Sequence, residues 1–436
     1  MSRELISLAP PIERALLVGA PLKRSGDRHV VDDHLGELAQ LADTAGAVVV
    51  GEVVQRLDRP HPATYLGTGK IDELRVRIEE LQATVVIFDD ELTPAQGKNI
   101  EVATGRRVID RAELILDIFA TRARTSEAKL QVELAQLEYM LPRLTRMWAH
   151  LERVRGGIGM RGPGETQLET DRRMIGHRIK LLRERLEDVE RTRSVQRQAR
   201  QGAFRVALVG YTNAGKSSIL KGMTGASDVV VEDRLFATLD PLTRDVDVGG
   251  GARVLMTDTV GFIRKLPHHL VASFRATLEE VTETDLLLHV IDASHPAWED
   301  QRAVVEDVLA DLGASRTPIR HVFNKMDQLD GPNASALRDR VSNLLPDSIF
   351  ASAVADGGLD SLRRELAAAV RVMRPLSVVR LPADSGKLLA DLYRDAEVLN
   401  VGSEGSALVV RARMDDAMAG RLRRAGATVS AVVERD

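Results

Sequence analysis

The stretch Val206-Ala-Leu-Val-Gly210-Tyr-Thr-Asn-Ala-Gly215-Lys216-Ser217-Ser218 sets an apolar run against a glycine-bounded loop that ends on lysine and serine. The run predicts a buried strand and the residues after it predict a helix, so the loop falls at a strand-to-helix turn. Glycines let backbone N–H groups close around phosphate oxygens, and the helix N-terminus adds its positive end. In such a loop Gly210, Tyr211, Thr212, Asn213, Ala214 and Gly215 form the phosphate cradle, with Ser218 completing it at the helix start. Lys216 supplies a point charge for the β- and γ-phosphates, and Ser217 offers its hydroxyl to Mg²⁺. The pattern implies a parallel α/β sheet and a nucleotide, but by itself it names no base.

Two further elements follow in order. Asp258-Thr-Val-Gly261 ends the apolar run Val254-Leu-Met256, which places Asp258 at a strand end where its carboxylate reaches the Mg²⁺ shell, and Gly261 where its amide faces the γ-phosphate. Asn324-Lys325-Met326-Asp327 follows Ile319-Arg-His-Val-Phe323. A carboxylate on that loop accepts hydrogen bonds from the ring N–H and exocyclic amine of guanine, donors that adenine does not present in that pattern. Ala351-Ser352-Ala353 is the expected backing loop for the base. Guanine recognition is therefore expected from Asn324, Lys325, Asp327, Ser352 and Ala353. In Leu235-Phe-Ala-Thr238-Leu-Asp-Pro-Leu-Thr-Arg244, Thr238 is the expected second hydroxyl on Mg²⁺, ordered by the triphosphate.

The residue after Gly261 is Phe262. Signalling GTPases orient the attacking water with a glutamine, and an apolar ring cannot do so. Slow intrinsic hydrolysis is expected, helped by a large partner or by Arg244 or Arg264. Asn213 is open to two readings, an oxygen ligand for K⁺ as in the potassium-dependent GTPases that this loop resembles, or an Asx turn.

The chain has 436 residues, 44% of them apolar and 3% aromatic, with no cysteine. Disulfides and thiolate chemistry are excluded, and a globular chain of several domains is expected. No run approaches the roughly 20 apolar residues of a membrane span, and a cytoplasmic location is expected. The net charge of −4 is uneven: residues 143–200 carry fifteen Lys or Arg against eight Asp or Glu, an excess of seven. A localised polyanion contact is implied.

Four parts are expected: an α/β subdomain over 1–120, an antiparallel helical hairpin over 121–202, a P-loop domain over 203–372 and a small α+β module over 373–436. In the first part, Leu66-Gly-Thr-Gly-Lys70 opens a helix and offers a second phosphate site, without the spacing of a full phosphate loop. The hairpin rests on Leu130, Leu134, Leu137 and Leu141 facing Ile175, Ile179, Leu182, Leu186 and Val189 at coiled-coil spacing. Its tip, Arg153-Val-Arg155-Gly-Gly-Ile-Gly-Met-Arg161-Gly-Pro-Gly164, is too glycine-rich to order cheaply, so Arg153, Arg155 and Arg161 are expected to gain phosphates from RNA. Trp148 fits either a base-stacking ring or a cap on the hairpin core. His268-His269 reads as surface loop, since adjacent side chains diverge. The last module is expected as strand, helix (Ser385 to Leu399), strand, helix, strand.

Tyr65-Leu-Gly-Thr-Gly-Lys-Ile-Asp72, the run from Gly156 to Arg173, the phosphate loop and Asp258-Thr-Val-Gly-Phe262 together resemble the HflX family of ribosome-associated GTPases, along almost the whole chain. The resemblance implies binding to the large ribosomal subunit and its rRNA, the hairpin loop directed at RNA near the peptidyl-transfer centre, and the splitting of stalled ribosomes under stress. It also implies ATP hydrolysis by some N-terminal domains. Leu242 departs from the family, which usually carries a second threonine after the Asp-Pro pair. A GTPase of RNA modification or ribosome assembly is the alternative, although no RNA-binding or cofactor domain beside the P-loop domain is recognisable.

Overall fold

Strand and helix alternate along most of the chain, and the central parallel strands, such as Val85–Phe88 and Leu286–Asp292, are apolar on both sides, as a sheet covered on both faces requires. The computed structural model describes residues 12–23, 28–144, 163–198, 203–225, 232, 234–249, 252–266, 281–382, 385–405 and 407–432. Two compact units emerge: residues 1–184 with 265–273, and residues 185–264 with 274–436.

In the first unit, β1 (Arg14–Gly19), β2 (Val48–Val54), β3 (Val85–Phe88) and β4 (Arg107–Asp110) form a parallel sheet in the order β2-β1-β3-β4. The crossovers are α1 (Arg28–Thr44), α2 (Thr68–Glu80) and α3 (Pro94–Thr104), followed by α4 (Arg111–Arg122). Helix α3 starts at Thr93, whose side chain and that of Gln96 form a reciprocal capping box, and stops at left-handed Gly105. Arg111 lies buried beneath the strand ends, paired with Glu37 and with Asp89 at 2.8 Å. Lys265, which clusters with this unit, reaches Asp89 and Asp90 at 2.5 and 2.7 Å. Burial alone would lift the Asp89 carboxyl, but the Arg111 and Lys265 charges overcome it and hold that carboxyl below the ordinary aspartate range.

Helices α5 (Ser126–Met140) and α6 (Pro163–Gln198) follow. Here the expected antiparallel hairpin is corrected. Arg178 pairs with Glu133 and Arg183 with Glu138, at 2.7 and 2.6 Å, so the contacts advance in the same sense along both helices. A fold-back would have paired advancing residues with receding ones. Of the expected α5 seam Leu134 is buried, while Leu130, Leu137 and Leu141 are only half-buried and Ala128, Val132, Ala135 and Tyr139 fill the rest of the buried face. On α6, Ile179 and Leu182 are buried as expected. The tip, with Trp148, Arg153, Arg155 and Arg161, lies outside the described residues, as do His268 and His269.

The second unit holds a six-stranded sheet in the order β10-β9-β8-β5-β7-β6, built from β5 (Phe204–Gly210), β6 (Leu242–Gly249), β7 (Ala252–Asp258), β8 (Leu286–Asp292), β9 (Ile319–Asn324) and β10 (Ile349–Phe350). Strand β6 runs antiparallel to β7; the other pairs are parallel. Its helices are α7 (Lys216–Thr224), α8 (Trp298–Asp311), α9 (Gly331–Leu344) and α10 (Asp360–Met373). Val206, Leu208, Leu288, Val290 and Val322, all fully buried, put the core across the central strands. The loops that carry the three motifs leave the same edge of this sheet.

The last elements are β11 (Leu376–Pro382), α11 (Gly386–Asp395), β12 (Glu397–Glu404), β13 (Ala407–Arg413), α12 (Asp416–Arg424) and β14 (Thr428–Ala431). The helix expected to run to Leu399 stops at Asp395, because Ala396 turns extended and Glu397–Glu404 pairs with β13 as an additional strand. The result is a βαββαβ module with an antiparallel sheet ordered β12-β13-β11-β14, a ferredoxin-like topology.

Arg111→Ala leaves Glu37 and Asp89 buried without their shared cation, and should cost about 3–5 kcal/mol in the first unit. Because the Asp89 carboxyl is depressed, its contribution is present above the ordinary aspartate range and lost as pH falls through its own lower value. Urea unfolding of wild type and variant should therefore differ most at neutral pH, and the gap should shrink below about pH 4.

Candidate functional site

Strand β5 ends at Gly210, and Gly215 caps α7 with φ at +91°. A Cβ there would lie 2.2 Å from Asn324 Nδ2, so both its conformation and its neighbour demand glycine. Between them the loop turns over a buried Lys216, whose Nζ donates to the carbonyls of Gly210 (3.2 Å) and Tyr211 (2.9 Å). Burial, only partly opposed by the Asp258 charge, lowers the Lys216 ammonium to about 8. The loop is laced to its neighbour by Thr212 N–H donating to Phe262 O (2.7 Å) and Phe262 N–H donating to Gly210 O (3.1 Å). A Cβ on Gly261 would lie 2.7 Å from Thr212 Cα and 3.1 Å from Lys216 Nζ, so the two loops approach as closely as glycine allows.

Beside Lys216 three oxygen-bearing side chains converge. Asp258 Oδ2 accepts from Ser217 Oγ at 2.6 Å and from Thr238 Oγ1 at 3.0 Å, and the two hydroxyls are 2.8 Å apart. Asp258 Oδ1 is buried and has no hydrogen-bond partner among the described residues. Burial lifts the Asp258 carboxyl above its ordinary range, against the opposing Lys216 charge and the donated hydroxyls. Octahedral Mg²⁺ holds oxygens at about 2.0–2.1 Å, which sets adjacent ligands about 3 Å apart. This all-oxygen set, with its orphaned carboxylate oxygen, fits that ion.

The third loop leaves β9. Asn324 is buried, its Nδ2 donating to Ala214 O (3.0 Å) and its Oδ1 accepting from Ala353 N–H (3.1 Å). Asp327 accepts from Ser352 Oγ. Lys325 stands in the left-handed region at φ +63°, and its Nζ pairs with Asp292 at the end of β8, 2.7 Å away.

These residues share one cleft of about 240 Å³, lined by Thr212, Asn213, Gly215, Lys216, Ser217, Ser218, Thr238, Gly261, Asn324, Lys325, Asp327 and Ala353. Three of the seven left-handed non-glycine residues described, Asn213, Phe236 and Lys325, line it as well, and such strained backbone gathers at ligand sites. Ser352 touches the cleft through Asp327. The expected arginines are placed differently. Arg234 lines the cleft while Arg244 and Arg264 do not, because Arg244 lies along β6 with Nη1 on Thr243 O. In the first unit Lys70 does open α2, but its Nζ is engaged by Glu73 at 2.8 Å and Gly67 N–H by Gln55.

Sequence reasoning missed two roles. Asp292 carries the signal of an aspartate at a strand end, legible once β8 is aligned with β9. Tyr211, whose hydroxyl accepts from Arg264 N–H at 2.8 Å, carries no local signal.

Three family profiles match consecutive parts of the chain. "GTP-binding GTPase N-terminal" matches residues 32–120, "GTP-binding GTPase Middle Region" 122–200 and "50S ribosome-binding GTPase" 205–325. The GTPase HflX of Magnetococcus marinus is 46% identical over 417 residues, covering 94% of each protein. That of Escherichia coli is 43% identical over 384 residues, covering 88% of each. The chain belongs to the GTPase HflX family. A third HflX, from Lacrimispora saccharolytica, is 49% identical over 361 residues, 82% of this chain and 83% of its own. As an HflX family member the chain binds guanine nucleotide and hydrolyses GTP. Among the described residues no helix is long and apolar enough to cross a membrane.

Phosphate oxygens favour the charged form of Lys216, whereas the nucleotide-free protein half-loses that proton at about pH 8. Binding must then take up a proton, so affinity for Mg²⁺-GDP should hold below that pH and fall above it, approaching about tenfold per unit. Titrations across this range, with binding heats in two buffers of different ionisation enthalpy, measure both the slope and the proton.

Proposed function

We propose that this HflX family member is a GTP-switched factor that docks on the large ribosomal subunit and acts on stalled ribosomes under stress, in the cytoplasm. The observation that carries the nucleotide half is the convergence of all three motifs on one cleft at the C-terminal edge of a parallel sheet. The ribosomal half draws on the profile described as "50S ribosome-binding GTPase" and on the basic segment 143–200.

In this reading the N–H groups of the loop from Gly210 to Ser218 bind the α- and β-phosphates, and Lys216 turns from the loop carbonyls to the β- and γ-phosphates. Ser217, Thr238 and Asp258 hold Mg²⁺, which when bound neutralises phosphate charge. Asn324 positions the loop, Lys325 covers the base, and Asp327 accepts from the guanine ring N–H and amine. Ser352 orients the Asp327 carboxylate, and the Ala353 backbone backs the base. Water attacks the γ-phosphorus and GDP leaves with inorganic phosphate.

Phe262 is 1% exposed, with its N–H committed to Gly210, so the position that carries glutamine in signalling GTPases contributes no polar group to water. Intrinsic turnover is slow and the ribosome accelerates it. Asn213 is exposed at the mouth of the cleft and offers an amide oxygen to K⁺. Arg153, Arg155 and Arg161 contact rRNA phosphates, and the triphosphate controls whether they dock.

GTPase turnover should rise at least about tenfold when purified large subunits are added. The triple substitution of Arg153, Arg155 and Arg161 by alanine should erase that rise and leave the basal rate unchanged. Equal wild-type rates with and without subunits would sink the ribosomal half of the proposal, and equal affinity for GTP and ATP would sink the nucleotide half.

A further inference from the structure

Behind the cleft, on the face of the second unit's sheet that α8 covers, two histidines stand side by side. His289 on β8 is in register with His321 on β9, and their ring centroids are 5.4 Å apart. Glu306 comes down from α8 with Oε1 3.5 Å from His321 Nε2. One ligand atom from each of the three residues lies within 4.8 Å of the other two. No motif discussed above uses any of them.

The histidine pair is hard to account for as ordinary core. His289 is 1% exposed, yet its Nδ1 has no hydrogen-bond partner among the described residues, and a buried polar atom left unpaired is costly. A protonated pair would be worse. Burial, then the neighbouring His321, Arg302 and Lys216 charges, hold His289 well below its ordinary value. Burial also lowers His321, although Glu306 opposes the shift. Both rings are therefore neutral at pH 7, with lone pairs available, the state in which imidazole ligates a metal.

The geometry points to a zinc-type divalent transition-metal site formed by His289, His321 and Glu306, with a fourth position open to water. Two imidazoles and one carboxylate are a donor set that zinc accepts, and bonds of about 2.0–2.1 Å put tetrahedral ligand atoms about 3.4 Å apart. The separation of His321 from Glu306 already matches. The remaining gaps close by rotating those two side chains, which are 18% and 39% exposed, onto the fixed His289. Arg302, one helical turn before Glu306, donates to the same carboxylate at 3.0 Å. That bond falls on Oε1, the oxygen 3.5 Å from His321 Nε2, so the ion would share this oxygen with Arg302 and its affinity would be moderated by that charge. His289 and His321 each lie three residues before a strand end, at Asp292 and Asn324, so the ion would pin α8 to the two strands whose ends hold the base loop.

The test uses untagged full-length protein saturated with Mg²⁺ and GDP, so that Ser217, Thr238 and Asp258 are occupied, with Co²⁺ as the spectroscopic probe and Zn²⁺ as competitor. Wild type should bind about one Co²⁺ per chain with the intense visible bands of four-coordinate cobalt, lose them to Zn²⁺, and unfold at higher temperature with either ion. Glu306→Gln, on a partly exposed helical face, and His321→Asn should each weaken Co²⁺ at least about tenfold while binding GDP as wild type does. Absence of cobalt bands and of any thermal shift in wild type would overturn the proposal. So would identical cobalt spectra and affinities in wild type and both variants.

Discussion

One carboxamide holds the nucleotide cleft together. Asn324 donates to a carbonyl of the phosphate loop and accepts from the loop that backs the base, so one buried side chain at the end of β9 fixes three segments distant in sequence. Its reach explains why position 215 has no side chain, since a Cβ there would strike Nδ2. It also explains why the strand order matters. Only a parallel sheet with β5, β8 and β9 adjacent brings Gly210, Asp292 and Asn324 to the same edge.

Around that framework the charges of the nucleotide-free protein are poorly satisfied. Lys216 is buried against carbonyls that give it less than a phosphate would, and Asp258 is buried with one oxygen unpaired. Each pushes the other towards its charged form, but burial wins at both. A polyphosphate and a divalent cation supply the missing partners to both groups at once. The cleft is thus built for the complex rather than for its empty state, as electrostatic preorganisation requires.

The sequence made the P-loop domain legible because its signals are local. A strand run, a glycine-bounded turn and a helix start can be read within a dozen residues, and Asp258 and Asn324 follow their own apolar runs in the same way. What was lost depends on partners far away in the chain. On α5, leucines at spacings of three and four define one stripe and Ala128, Val132 and Ala135 define the next; only packing decides that Leu134 joins the second set in the core while Leu130, Leu137 and Leu141 stay half-buried. The direction of α6 against α5 rests on a connection no periodicity describes. The first three residues of β12, Glu397 to Leu399, read from the sequence as the end of the preceding helix, and only pairing with β13 commits them to a sheet. Arg244 looked available for catalysis from its place in a polar stretch, but its strand takes it along the sheet.

The most direct measurement is the affinity for Mg²⁺-GDP of Asn324→Ala beside wild type, with circular dichroism confirming that both are folded. Losing both hydrogen bonds of this amide should weaken binding about 10- to 100-fold, through faster nucleotide release, because the phosphate and base loops no longer share an anchor. Unchanged affinity and release in a folded variant would contradict the claim that this side chain organises the site.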